Sequence, residues 1–104
     1  MSAKIKLDRE KIAAFCQRWK ITELSLFGSV LRDDFGPESD VDLLVNFAPE
    51  AKWSLLDLVH MERELKEICG REVDLVEREA VERSDNYIRR RYILSAVEPV
   101  YVAR

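Results

Sequence analysis

The sequence predicts an α+β fold, mixed in the α/β sense: a small mixed β-sheet with helices packed mainly on one face, in the order α-β-α-β-α-β-α-β. Three observations carry this expectation. Apolar residues recur at helical spacing in some segments and at alternate positions in others. The two kinds of segment follow one another through short connections punctuated by Gly and Pro. The 104 residues, 47% of them apolar, are enough to bury one core without disulfide or metal staples, so residues 1–104 are expected to form a single domain.

The first helix is expected over 8–19. Ile12, Ala13, Phe15, Cys16 and Trp19 fall on one helix face, Asp8 serves as N-cap, and Leu7 with Ile12 forms a hydrophobic staple around it. In Ile21–Phe27, Leu24 and Leu26 alternate with Glu23, Ser25 and Phe27, so a strand runs up to the break at Gly28. The polar stretch 29–39, interrupted by Gly36-Pro37, takes a short helix. Val41, Leu43, Leu44, Val45 and Phe47 make a second strand, closed by Pro49. Leu55, Leu56, Leu58, Val59, Met61, Leu65, Ile68 and Cys69 then mark the broad apolar stripe of a core helix, capped by Ser54 and stopped by Gly70. Glu72–Val76 reads as a third strand. Residues 86–96 read as a helix with Ile88, Tyr92, Ile93 and Ala96 inward and Arg89, Arg90 and Arg91 largely outward, and Val97–Val102 closes the sheet.

Composition excludes several functions. Seventeen Lys and Arg against 20 Asp and Glu give a net charge of −3, which argues against a general nucleic-acid coat, whose affinity comes from neutralising phosphates. Cys16 and Cys69 lie far apart among apolar residues, so both read as buried free thiols of a protein in a reducing compartment. The first eight residues carry Lys4, Lys6 and Asp8 instead of a signal peptide's apolar stretch, and no run is long enough to span a bilayer. A cytoplasmic protein without a membrane role is expected. His60 is the only histidine and reads as a helix residue, which leaves no basis for a His-based zinc site or a Cys/His nucleophile pair. Trp19 and Trp53 read as packing or partner-facing aromatics.

One constellation carries chemistry. Gly28-Ser29 closes the first strand, and ten residues later comes Asp40-Val41-Asp42, with Ser39 just ahead and Asp74 inside the third strand. In an extended strand residues two apart share a face, so Asp40 and Asp42 point one way while Val41 and Leu43 point the other. Two like charges side by side call for a cation, and a few hard oxygens with room for phosphate and water suit Mg²⁺. Asp74 joins them if the third strand pairs beside the second. Glycine lets a phosphate approach the backbone, and a hydroxyl with helix N-terminal amides favours anions. The element therefore reads as a triphosphate site between amides on one side and metal-loaded acids on the other, the arrangement that displacement at an α-phosphate needs.

Gly28-Ser29-Val30-Leu31-Arg32 through Ser39-Asp40-Val41-Asp42-Leu43-Leu44-Val45 resembles the signature of the DNA polymerase beta-type nucleotidyltransferase superfamily, and the small size resembles its minimal nucleotidyltransferases, commonly paired with HEPN-domain toxins. The resemblance implies a palm-like core in which Asp40, Asp42 and Asp74 are the catalytic and metal-binding carboxylates. Asp74 would act as base or as nucleophile-side ligand. Gly28 and Ser29 would form the phosphate-binding turn, with Arg32 and Ser39 beside it. It further implies Mg²⁺ as cofactor, ATP as substrate, and transfer of AMP to a hydroxyl of a HEPN-type RNase toxin that this chain neutralises as its antitoxin. Two other readings stand beside it: a binding module that silences its partner sterically, and an enzyme that adenylylates a small molecule.

Overall fold

Asp8 is extended (φ −79°, ψ 99°) and its carboxylate accepts from the Lys11 backbone N–H, which starts helix α1, Arg9–Arg18. The computed structural model describes residues 7–28, 40–83, 85–86, 88, 90–91, 93 and 97–103. After α1, Lys20 turns the chain in the left-handed conformation (φ 55°) into strand β1, Ile21–Phe27. Strand β2 is Val41–Phe47, helix α2 is Leu55–Cys69, strand β3 is Val73–Glu77, helix α3 is Arg78–Glu82 and strand β4 is Val97–Val102. Ser54 and Asp57 form a reciprocal capping box at the start of α2, and Gly70, left-handed at φ 71°, ends it. The short helix expected within 29–39 lies outside the described residues.

The four strands lie in the order β3-β2-β1-β4. β1 pairs antiparallel with both β2 and β4, and β2 pairs parallel with β3, so the sheet is mixed as expected. Alternation decides what each face buries. Leu24 and Leu26 of β1 and Val41, Leu43 and Val45 of β2 pack on Ile12, Phe15 and Cys16 of α1 and on Met61 and Leu65 of α2. Ile21 joins that same cluster although it lies three positions before Leu24, an odd offset that regular alternation would put on the other face. The register shift between Ile21 and Glu23 against β2 is what restores its side. Trp19 stands edge-on to Trp53, with ring centroids 5.1 Å apart, and both pack on this core as the sequence suggested.

The opposite face holds a smaller cluster, Phe27 and Leu44 under Val81 of α3 and Ile93, flanked by Val76 and Val97. The two long helices thus share one face, and α3 covers part of the other. α3 is too short, with too few apolar residues, to have been visible in the sequence. Arg78 secures it to the sheet: its Nη1 donates to Glu23 Oε1 at 3.3 Å, and its Nε lies 3.6 Å from Glu82 Oε2.

Two expectations about inward faces are corrected. Leu55, Leu56 and Val59 are 78%, 66% and 40% exposed, because α2 packs on the core through Leu58, Met61, Leu65 and Ile68 instead. Ile88, Arg90, Arg91 and Ile93 are helical, but only Ile93 is buried, whereas Ile88 is 80% exposed. Arg91 is exposed and Arg90 half-buried, its Nη1 donating to the Glu82 carbonyl at 3.4 Å. The side chains of Tyr92 and Ala96 lie outside the described residues. Among the described residues no helix is long and apolar enough to cross a membrane. Cys16 is fully buried and Cys69 half-buried; both are free thiols, and desolvation pushes the Cys16 thiol up to about 12.

Candidate active site

The parallel register of β2 with β3 sets Val41 beside Val73, Asp42 beside Asp74, Leu43 beside Leu75 and Leu44 beside Val76. Partners in a parallel pair project to the same face from backbones about 4.8 Å apart. Val73 and Leu75 are drawn to the large core, as are Val41 and Leu43, so Asp42 and Asp74 have no choice but to emerge together on the opposite face. That is the face of the smaller cluster, and Phe27, paired with Asp42 across β1–β2, is the buried apolar neighbour of the carboxylates. Asp40 immediately precedes β2 and is exposed.

Gly28 follows Phe27 at the mouth of this row with φ 75°, a conformation that an L side chain adopts only with strain. A Cβ placed on Gly28 would overlap Asp42 Oδ2 and come within 3.3 Å of Asp42 Cγ. The sequence suggested that glycine leaves space for a phosphate; the structure adds that the missing side chain leaves space for the Asp42 carboxylate. Nothing local announces this, because it depends on the cross-strand pairing of Phe27 with Asp42.

Of the seven site residues read from the sequence, Gly28, Asp40, Asp42 and Asp74 are described, while Ser29, Arg32 and Ser39 lie outside the described residues. Asp42 is half-buried and Asp74 exposed on the edge strand. Although Asp74 lies between the apolar Val73 and Leu75 in the chain, those neighbours pack on the large core and the Asp74 carboxylate is exposed, so its charge carries no burial cost. Among the described residues no three His, Cys, Asp or Glu side chains converge as a metal cage.

A Nucleotidyltransferase domain family model matches residues 9–97, a span that contains both acidic strands and the Gly28 turn. This chain belongs to the nucleotidyltransferase domain family. It is accordingly a transferase of the nucleotidyltransferase class, as the resemblance in the sequence implied. A Methanocaldococcus jannaschii chain provisionally named protein adenylyltransferase is 41% identical over 68 residues, 65% of this chain and 71% of that one. Further curated relatives are matched over 59–64% of their own length. A solved structure provisionally named a minimal nucleotidyltransferase is 30% identical, with a TM-score of 0.66 over 88% of this chain and 87% of that one. The fold is also that of a chain in the complex of a tri-AMPylated Shewanella oneidensis HEPN toxin with its MNT antitoxin. There the TM-score is 0.60 at 20% identity, over 91% of this chain and 70% of the other.

Proposed function

We propose that this nucleotidyltransferase moves AMP from ATP to a hydroxyl of a partner protein, and that the partner is a HEPN-type RNase toxin which the chain neutralises as its antitoxin in the cytoplasm. The observation that carries the chemistry is the adjacency of Asp42 and Asp74 in the parallel register, with Asp40 two residues before Asp42 and Gly28 against Asp42. The adenylyl group as cargo and a protein as acceptor are supported by the name of the M. jannaschii relative. The partner class is supported by the likeness in fold to a chain of the complex between an AMPylated HEPN toxin and an MNT antitoxin.

The residues suit Mg²⁺ in this reading. The ion is typically held by one or two carboxylates, with phosphate oxygens and water as its other ligands, and two neighbouring aspartates match that habit. When bound, Mg²⁺ supplies charge neutralisation at the phosphates. Asp40 and Asp42 hold the nucleotide side. Ser29, Arg32 and Ser39, with the Gly28 backbone, receive the triphosphate. Asp74, exposed on the edge strand, faces the incoming hydroxyl and takes its proton. The acceptor oxygen bonds to the α-phosphorus as the bond from that phosphorus to the bridging oxygen breaks, and pyrophosphate leaves.

The test is intact-protein mass spectrometry of the HEPN-type protein encoded beside this chain after incubation with ATP, Mg²⁺ and either wild type or Asp74→Asn. The wild type should add the mass of AMP, and the Asn variant should do so about a hundredfold or more slowly, the scale of losing a general base. No mass gain with wild type, together with full neutralisation of the partner by Asp74→Asn, would replace this reading with the steric binding module.

A further inference from the structure

β3 is a five-residue edge strand, so β2 can hold it on one side only. Its other side is held by α2. The Leu75 backbone N–H donates to Glu62 Oε2 at 3.3 Å, and Lys66, one helical turn beyond Glu62, pairs with Glu72 Oε1 at 2.5 Å. Glu72 lies two residues before Asp74 and Leu75 directly after it, and Val73 and Leu75 pack into the core. The Glu62 contact is the better shielded from solvent of the two, whereas the Lys66–Glu72 pair is exposed on both sides and such pairs contribute little.

We infer that Glu62 is a positioning residue for Asp74: its carboxylate holds the outer edge of β3 and so sets where Asp74 stands relative to Asp42. The inference deepens the role proposed for Asp74 and rests on it for its catalytic consequence, but the hydrogen bond itself can be tested independently. An edge strand anchored on one side frays more readily than a central one, and a carboxylate displaced by about an ångström loses much of its catalytic value. Glu62 touches no reacting atom in this arrangement; it acts through the backbone of Leu75.

Amide hydrogen exchange and AMP transfer to the HEPN-type protein encoded beside this chain are measured on wild type, Glu62→Ala, Glu62→Gln, Lys66→Ala and the core control Ile12→Val. Glu62→Ala should speed exchange at Leu75 by about tenfold, the change expected for one lost hydrogen bond to a charged acceptor. It should lower kcat for transfer by about tenfold at unchanged KM for ATP, because Asp40 and Asp42 are on β2. Glu62→Gln keeps an acceptor oxygen and should restore both. Lys66→Ala should change either by less than twofold, and Ile12→Val, which loosens the core, should leave kcat and the relative protection of Leu75 unaltered. Unchanged Leu75 exchange in Glu62→Ala would overturn the inference, as would faster exchange with undiminished kcat or failure of Gln to rescue. If wild type transfers no AMP, the proposed function fails, and exchange at Leu75 still decides whether Glu62 holds the strand.

Discussion

Replacing Gly28 by Ala separates backbone strain from crowding of the carboxylate. At φ 75° an alanine costs about 1–2 kcal/mol relative to glycine. The new Cβ would also overlap Asp42 Oδ2. That oxygen is the tip of a rotatable side chain, so it moves aside at small cost to stability but leaves its place beside Asp74. The expected result is a modest fall in stability, about 4–8 °C in Tm for each kcal/mol in a domain of this size, with a disproportionate loss of transfer. The assay is a double-mutant cycle with Asp42→Ala, read by urea unfolding and by transfer of AMP. With the Asp42 carboxylate removed, Gly28→Ala should still cost its 1–2 kcal/mol yet have no further effect on transfer. Equal stability of Gly28→Ala and wild type would refute the strain argument. A further loss of transfer in the double variant, beyond that of Asp42→Ala alone, would refute the carboxylate-crowding argument.

Ser25 is 1% exposed and its Oγ has no hydrogen-bond partner among the described residues, so Ser25→Ala should raise stability by about 1 kcal/mol in urea titration; a loss of that size would mean the hydroxyl is satisfied in solution. Lys20→Gly should add about 0.5–1 kcal/mol by relieving the left-handed residue after α1, and an unchanged unfolding midpoint would contradict it. Ser54→Ala breaks the capping box of α2 and should remove about 1 kcal/mol, read by thermal unfolding. The Cys16 thiol, pushed up to about 12 by burial, stays protonated in the fold while the unfolded chain ionises near its ordinary value of about 9. Above that value the unfolded state binds fewer protons, so this contribution falls by up to about 1.4 kcal/mol per pH unit until about pH 12 and is constant below pH 9. Cys16→Ala should lose less stability than wild type between pH 9 and 11.

The strands were legible because their apolar residues alternate, and the caps of α1 and α2 because Asp8, Ser54 and Gly70 are chemically specific at those positions. The same alternation that buries Val73 and Leu75 beside Val41 and Leu43 puts Asp42 next to Asp74, so half of the acidic site followed once the two strands were taken as neighbours. What stayed hidden depended on contacts between distant parts of the chain. The apolar stripe of α2 is wider than the part of it that packs on the core, and no local pattern says that Leu55, Leu56 and Val59 stay exposed. The fit of Gly28 against Asp42 depends on pairing across β1 and β2, and the bond from Leu75 to Glu62 on packing of a helix against an edge. The residues flanking Asp74 are apolar, yet Asp74 itself is exposed. In a strand, neighbours face away, and the edge position leaves it in water.

The place of β4 has a consequence for how the protein is made. β1 lies between β2, the next strand in the chain, and β4, the last, and the Arg9 guanidinium donates to the Val100 carbonyl across 91 positions. A ribosome delivers α1, β1 and β2 early, so the hairpin-like pair can form while one flank of β1, carrying Leu24, Leu26 and Phe27, still has no neighbour. That flank is a template for any other extended chain until residues 97–103 emerge. The most aggregation-prone interval in the life of this molecule is therefore the time between synthesis of its second strand and its fourth, and slow elongation there should lower soluble yield more than the same delay at any later point.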